Sequence, residues 1–522
     1  MRIFLSGPMG SGKSTVAKAL ASLLRLPMHD LDGRVEARAE TSIRELFAAR
    51  GEGEFRKLEH EELRRVIAED NASVTALGGG TVVDEQCRTM ALDAGLVVTL
   101  MAPVDVLASR VAREEGRPLL AGKDAKDVLA TLLQRRAFAY AESHGTVDAS
   151  RPVDEVAAAI RDIVERRPLL VPLGERSYRV DIGAGVRRRV PEILEDLNAT
   201  SVLAVTDEHV AQPWRSAIEE SVHGFRHELV VLPPGEAHKH IASIQTLWDR
   251  GLGGGIDRNG VVLAVGGGVV GDMAGFTAAT LLRGIRLVQV PTTLLAMVDA
   301  SVGGKTGFDH AAGKNLIGAF HQPSAVVVDP ELLGTLPHRE YRAGIAEVIK
   351  GAWLEGEEAV AALEASMAEL VAREPRALEA TVRRAIAHKA RVVAADEREG
   401  GMRALLNLGH TVGHAIERAG AFDRYLHGEA VALGLVAAFR VGRALGRDAD
   451  EARLLALLQR AGLPVDLDEV LHGPLSSVAF ESLRSDKKRR GDHIVFVVPG
   501  APGHTELVPL GVDAIRTYVW PG

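Results

Sequence analysis

The chain has one cysteine, Cys87, in 522 residues. A single thiol cannot build a disulfide framework, and such scarcity suits a reducing cytoplasm. Apolar runs of membrane-spanning length are missing. The opening MRIFLSGPMGSGKST breaks from a short apolar run into a glycine-rich loop, so it reads as neither a signal peptide nor a membrane span. Positive charge is not in excess. Against 62 Lys and Arg stand 70 Asp and Glu, a net charge of −8, which argues against generic nucleic-acid binding. Low-complexity tracts and internal repeats are also lacking. Asn71-Ala72-Ser73 and Asn198-Ala199-Thr200 fit the glycosylation pattern, but mean nothing in a cytoplasmic protein. What remains is ordinary for a soluble globular protein: 46% hydrophobic and 25% charged residues. The length calls for two to four domains.

The first segment, residues 1–166, opens with an apolar strand running into Gly7-Pro8-Met9-Gly10-Ser11-Gly12-Lys13-Ser14, with a helix from Thr15. This is G-x-x-x-x-G-K-S in the strand–loop–helix context the motif requires. Backbone N–H groups of Gly10, Ser11, Gly12 and the helix start suit phosphate oxygens, Lys13 the outer phosphates, and the Ser14 hydroxyl Mg²⁺. His29-Asp30-Leu31-Asp32 places two carboxylates at a strand's C-terminal end, where ligands bind in open α/β sheets. Arg56 lies on a helix in Phe55-Arg56-Lys57-Leu58-Glu59. Leu77-Gly78-Gly79-Gly80 ends another strand, and Arg117 sits in the loop-like stretch 114–123. Arg135 and Arg136 add charge; singly, each arginine is more often a solvated surface group.

The ordered set of P-loop, D-L-D, F-R-x-x-E, G-G-G, R-P-L-L and R-x-x-x-Y resembles the shikimate kinase family over essentially the whole segment. That resemblance implies ATP with Mg²⁺, bound by Gly10 to Thr15, with Ser14 and Asp30 on the metal. It implies shikimate held by Asp32, Arg56, Gly79 and Arg136, with Asp32 as proton acceptor. Arg117 would close on the phosphates and Arg110 would lie near adenine. The family often has two basic residues after its V-D motif; here Val147-Asp148 is followed by a single one, Arg151.

Glu165 to Pro172 crosses two prolines and reads as a stiff linker, placed at 167–176. Beyond it, strand and helix signals alternate to about Asp329, and the pattern turns helical after about Gly334. Val261 to Val265 leads into Gly266-Gly267-Gly268-Val269-Val270-Gly271-Asp272. This satisfies G-x-G-x-x-G, but no acid follows at the expected distance, so dinucleotide or phosphate binding is expected on a different loop scheme. Residues 299–315 read as a glycine-rich loop whose Lys305 and Lys314 suit an anionic substrate. A long helix is expected over Ala377 to Glu399, and Arg484 to Arg490 reads as a basic loop before a strand.

Within Leu405 to Ala430 lie His410, His414 and His427. The first two are four apart, on one face of a helix. The spacing points to a metal site built from this stretch and a carboxylate from elsewhere. Glu347, among Ile345, Ala346, Val348 and Ile349, is a candidate buried carboxylate for it.

P-G-E-x-x-K, the 266–276 loop, P-T-T-L-L-A-M-V-D-A-S-V-G-G-K-T, A-E-V-I-K, L-N-L-G-H-T-x-G-H-A-I-E and L-H-G-E-A-V-A together resemble the 3-dehydroquinate synthase family closely, over nearly the whole second segment. The resemblance implies an α/β fold: a P-loop kinase domain, then a Rossmann-like NAD-binding half at 177–333, then a mainly helical half at 334–522. It assigns Glu347, His410 and His427 to Zn²⁺ (or Co²⁺), which makes His414 a substrate contact. NAD would meet Asp207, Glu236, Lys239, Gly267, Gly268, Gly271, Asp272, Thr292, Thr293, Lys305 and Lys314. Substrate phosphate and carboxylate would meet Arg283, Asp299, Lys305, Lys314, Asn315, Lys350, Lys389, Arg403, Asn407, His414 and either Lys487 or Lys488. Lys350, Lys305 and His414 would take part in catalysis. His209 stands where the family often has asparagine. The implied activities are phosphorylation of shikimate and conversion of 3-deoxy-D-arabino-heptulosonate 7-phosphate to 3-dehydroquinate and phosphate, in a cytoplasmic homodimer contacting small molecules only. Other sugar-phosphate cyclases and polyol dehydrogenases are rival readings for the second segment. Arg403, Asn407 and Lys389 argue against them as a carboxylate-binding set. A regulatory nucleotide-binding module is the rival for the first, against which Lys13, Asp32, Arg56 and Arg136 stand.

Overall fold

A computed structural model describes residues 1–112, 124–420, 424–471, 475–484, 489–490 and 493–519. Arg117, Lys487 and Lys488 lie outside the described residues. The chain forms two compact units, Met1–Asp181 and Ile182–Gly522. Among the described residues no helix is long and apolar enough to cross a membrane.

The first unit is a five-stranded parallel sheet. Its strand order is Met28–Asp30, Ser73–Ala76, Arg2–Ser6, Gly95–Met101, Gly145–Asp148. The central strand is apolar on both sides, as a strand covered on both faces must be. Ile3 and Leu5 pack under helices Lys13–Leu24 and Val153–Arg166, while Phe4 turns to Leu63, Cys87 and Tyr140 on the other face. Helix Ile43–Glu69 starts on a capping box between Ser42 and Glu45 and breaks at Gly51, where φ is 77°.

The stretch expected to be a linker is not all loop. Leu169–Val171 forms a strand antiparallel to Tyr178–Val180, and Gly174 N–H donates to Glu142 at 2.8 Å. Val171 and Tyr178 are buried, so apolar content outweighs the two prolines there.

The second unit carries five parallel strands in the order Ala325–Val328, Arg286–Pro291, Val261–Gly266, Ser201–Asp207, Arg226–Leu232. Residues 299–315, expected as a loop, are instead a five-residue π-helical turn, Ala296–Ala300, and an antiparallel hairpin of Lys305–His310 with Gly313–Phe320. The glycines at 307 and 318 face each other across that hairpin at close backbone contact, which is why the composition looked loop-like.

From His338 the unit is helical. Helix His427–Ala444 buries almost every residue after Gly428 and is apolar all round, the pattern of a central core helix. Trp353, on helix His338–Glu355, packs edge-on against its Phe439 at 4.7 Å. The long helix ends earlier than expected, spanning Pro375–Ala395. Asp396 stops it, its carboxylate accepting N–H bonds from Gly400, Gly401 and Arg403. A three-stranded antiparallel sheet, Arg489–Arg490, His493–Pro499 and Thr505–Gly511, lies near the C-terminus, so two residues of the expected basic loop are strand.

Candidate active sites

In the first unit the loop after Arg2–Ser6 wraps towards the start of helix Lys13–Leu24. Gly10 and Gly12 take left-handed φ of 79° and 83°, a conformation that glycine adopts without strain. Lys13 Nζ donates to the Gly7 and Pro8 carbonyls, each at 3.0 Å, and Ser14 and Thr15 stand exposed at the helix start. Arg110 donates to Gly10 O at 3.4 Å and Ala149 O at 2.9 Å, tying the phosphate loop to the segment after Asp148. Asp30 caps helix Leu31–Ala39 through Gly33 N–H.

The glycine loop 78–80 is the centre of the site. A Cβ on Gly78 would lie 2.6 Å from Asp32 and one on Gly80 2.6 Å from Arg56. Gly79 O accepts from Arg136 at 3.0 Å and from the Tyr140 hydroxyl at 2.9 Å. Burial pushes Asp32 up to about 6, against the pull of Lys13. Arg56 is held by Glu59 at 2.6 Å, and Glu59 also accepts from Thr81 at 2.6 Å.

In the second unit three elements meet at Glu347. Glu347 lies on helix His338–Glu355, His410 opens helix His410–Ala419, and His427 opens the central helix. Glu347 Oε1 is 3.5 Å from His410 Nε2 and 3.7 Å from His427 Nε2. Its Oε2 pairs with Lys350, yet neither oxygen accepts a well-formed hydrogen bond. Ligands about 2.1 Å from a tetrahedral zinc ion lie about 3.4 Å apart, and these separations match. His410 Nδ1 faces Leu408 O at 3.1 Å and His427 Nδ1 faces Glu417 at 3.4 Å, which turns both Nε2 atoms inward. Burial opposes a proton on His427, but Glu347 and Glu417 outweigh it and raise the ring to about 10. The cluster is thus built for a cation: two buried carboxylates surround the rings. His410 and His414 do share a face, with ring centroids 5.3 Å apart, but His414 is exposed, and the Glu347 set does not include it.

Around this cluster the cations are threaded between acids. Lys350 pairs with Glu347, and Lys389 with Asp299. Burial opposes charge on Asp299, but Lys389 and Lys350 hold it down at about 2. Lys239, buried, donates to Asp272 and to Asn315 Oδ1 at 2.6 Å. Lys314 lies 3.3 Å from Glu236 and 3.5 Å from Glu417. Lys305 pairs with Glu399, which also accepts from Asn407 at 2.7 Å. Arg403 is buried and donates to Gly303 O at 2.9 Å. On the sheet's C-terminal edge, Gly267 caps helix Gly268–Thr280 with Thr293 against it, Thr292 is buried, and Asp207 caps Glu208–Val222. A Cβ on Gly271 would lie 3.0 Å from Gln289.

Residues 229–343 match the family description "3-dehydroquinate synthase N-terminal", 344–489 "3-dehydroquinate synthase C-terminal", and 9–165 "Shikimate kinase". A 3-dehydroquinate synthase of Azotobacter vinelandii is 50% identical over 299 residues, 57% of this chain and 82% of that protein. One from Symbiobacterium thermophilum is 46% identical over 360 residues, 66% of this chain and 97% of its own. The chain belongs to the 3-dehydroquinate synthase family, with a shikimate kinase domain fused in front. Among solved structures, 2-epi-5-epi-valiolone synthase from Streptomyces hygroscopicus, with NAD⁺ and Zn²⁺ bound, is 27% identical with a TM-score of 0.60, covering 66% of this chain and 97% of that one. The chain is therefore a bifunctional enzyme, a shikimate kinase and a 3-dehydroquinate synthase.

Among the described residues expected at the synthase site, short contacts link Glu347 to His410, His427 and Lys350, Asp299 to Lys389, Lys239 to Asp272 and Asn315, and Lys314 to Glu236; Arg283 stands apart. It is exposed on the turn Leu281–Gly284 at φ 69° and joins none of these ion pairs and hydrogen bonds among the described residues. Sequence reasoning gave no role to Glu399, Glu417, Glu59 or Tyr140. Glu417, Glu59 and Tyr140 stood inside quoted motifs. Glu399 had no signal, because it was read as helix and the stop at Asp396 puts it in a turn at φ 59°.

Proposed function

We propose that the kinase unit phosphorylates shikimate from ATP with Mg²⁺, and that the synthase unit binds NAD⁺ and Zn²⁺ to convert 3-deoxy-D-arabino-heptulosonate 7-phosphate to 3-dehydroquinate. In the kinase, Gly10 to Thr15 cradle the phosphates, with Ser14 and Asp30 towards the metal. Arg56, Gly79 and Arg136 orient shikimate, and Asp32 takes the attacking hydroxyl's proton. Its carboxylate, held near the working pH range by burial, suits that task. Lys13 balances the phosphate charge.

In the synthase, Glu347, His410 and His427 hold the divalent ion; the separations of their ligand atoms carry this reading. Bound there, the ion supplies an electrophile for an alcohol oxygen and NAD⁺ a reversible hydride acceptor. Asp207, Glu236, Lys239, Gly267, Gly268, Gly271, Asp272, Thr292 and Thr293 form the dinucleotide cleft. Lys350, between Glu347 and Asp299, is held protonated and would serve as a hydrogen-bond donor to a substrate oxygen. Lys305, Lys314, Asn315, Lys389, Arg403, Asn407 and His414 receive phosphate and carboxylate. Before substrate arrives, acids such as Glu399 and Glu417 neutralise these cations. A homodimer through the synthase unit and a cytoplasmic location complete the proposal.

Cross-assay of two variants tests it. Lys13→Ala is expected to lower shikimate-dependent ADP release by about 10²–10³-fold and leave phosphate release from the heptulosonate phosphate intact; His410→Ala should do the reverse. Loss of both activities in either variant would overturn two independent sites.

A further inference from the structure

Glu417 is buried and, beyond balancing the charge of Lys314, has no assigned part in either reaction. It lies on helix His410–Ala419, and its Oε1 is 3.4 Å from His427 Nδ1 and 3.5 Å from Lys314 Nζ. The opposite ring nitrogen of His427 faces Glu347 at 3.7 Å. A neutral imidazole has one N–H. Given to Glu417 from Nδ1, it leaves the Nε2 lone pair pointing into the cluster. His410 is oriented differently, by a backbone carbonyl at 3.1 Å. A carboxylate partner makes an imidazole a stronger donor to a cation than a carbonyl does, so the two rings are not equivalent ligands.

We propose that Glu417 is a positioning residue that fixes the His427 tautomer for the divalent ion and, through Lys314, ties the hairpin Lys305–Phe320 to the occupied site. The proposal rests on the reading of His427 as a ligand. Glu417 also belongs to a second group able to hold a cation, with His414 and His427, and the test separates the two roles.

The experiment is competition of the metal-stripped full chain against a chromophoric chelator for Zn²⁺ and Co²⁺. It compares wild type, Glu417→Gln, Glu417→Asp and His427→Ala, and records visible Co²⁺ absorption and metal-free thermal unfolding. Glu417→Gln is expected to keep one ion per chain, bind it about 10–100-fold more weakly, shift the Co²⁺ spectrum and unfold at the wild-type temperature when metal-free. Glu417→Asp should recover part of the affinity. Wild-type affinity in Glu417→Gln, with weakened binding in His427→Ala, would overturn the proposal and leave the ligand reading standing. Wild-type affinity in His427→Ala would overturn both. Two ions in wild type and one in Glu417→Gln would make Glu417 a ligand. An equal loss of stability with and without metal would make its role structural only.

Discussion

Asp32 is caught between burial, which favours its proton, and the neighbouring Lys13, which opposes it; burial wins and the group rises from 3.8 to about 6. As pH falls through about 6 the carboxylate protonates and cannot accept the shikimate proton. Kinase kcat/KM should therefore drop about tenfold per unit below that point; a profile flat down to pH 4.5 would remove Asp32 as the base. The same shift has a stability sign. A carboxylate raised above its unfolded value binds its proton more tightly in the fold, so stability declines as pH rises from about 4 to about 6 and the full cost stands above it. Asp32→Asn should thus stabilise the kinase unit at pH 7.5 by at most about 3 kcal/mol and have little effect at pH 3.5, read from thermal unfolding at both values. At this scale the sequence was informative wherever chemistry needs a rare residue type in a fixed pattern, as with Lys13, His410 and Glu347. Glu399 was hidden because its place depends on where a helix stops, which Asp396 decides through three backbone bonds.

The ligand cluster depends on how closely three helices approach. A Cβ on Gly428 would lie 1.8 Å from the carbonyl oxygen of Ala343, one turn before Glu347. One on Gly434 would lie 1.9 Å from that of Gly409, next to His410. The central helix can reach both neighbours only because these positions lack side chains. Gly434→Ala and Gly428→Ala should each cost about 1–3 kcal/mol and weaken Zn²⁺ binding by about tenfold or more, as measured by thermal unfolding and chelator competition. Unchanged metal affinity in both would mean that the cluster tolerates helix displacement. Strands and helices were largely legible here, since Val261–Gly266 and His338–Glu355 follow clear apolar patterns. The hairpin Lys305–Phe320 was not. Its exposed positions and paired glycines, 307 with 318, erase the alternation by which a strand is recognised.

At the scale of the molecule, the chain divides into two compact units, and the groups proposed for the two reactions fall one set in each. A cation that binds only the folded synthase unit stabilises that unit alone, by about 2.7 kcal/mol at a free concentration 100 times its dissociation constant. Zinc chelation with Mg²⁺ in excess should lower the synthase transition and leave the kinase transition unmoved in a calorimetric scan. A fall in both would show that the units unfold as one. The two-part organisation was legible because the P-loop and the histidine stretch lie far apart in different pattern regimes. The strand Leu169–Val171 was not legible, because the two prolines around it read as a linker. The central claim is that Glu347, His410 and His427 share one divalent ion. X-ray absorption at the zinc edge, on the full chain loaded with one equivalent, tests it most directly. The account predicts two imidazoles and carboxylate oxygen around a single ion, with one imidazole lost in His427→Ala. An unchanged spectrum in that variant would contradict it.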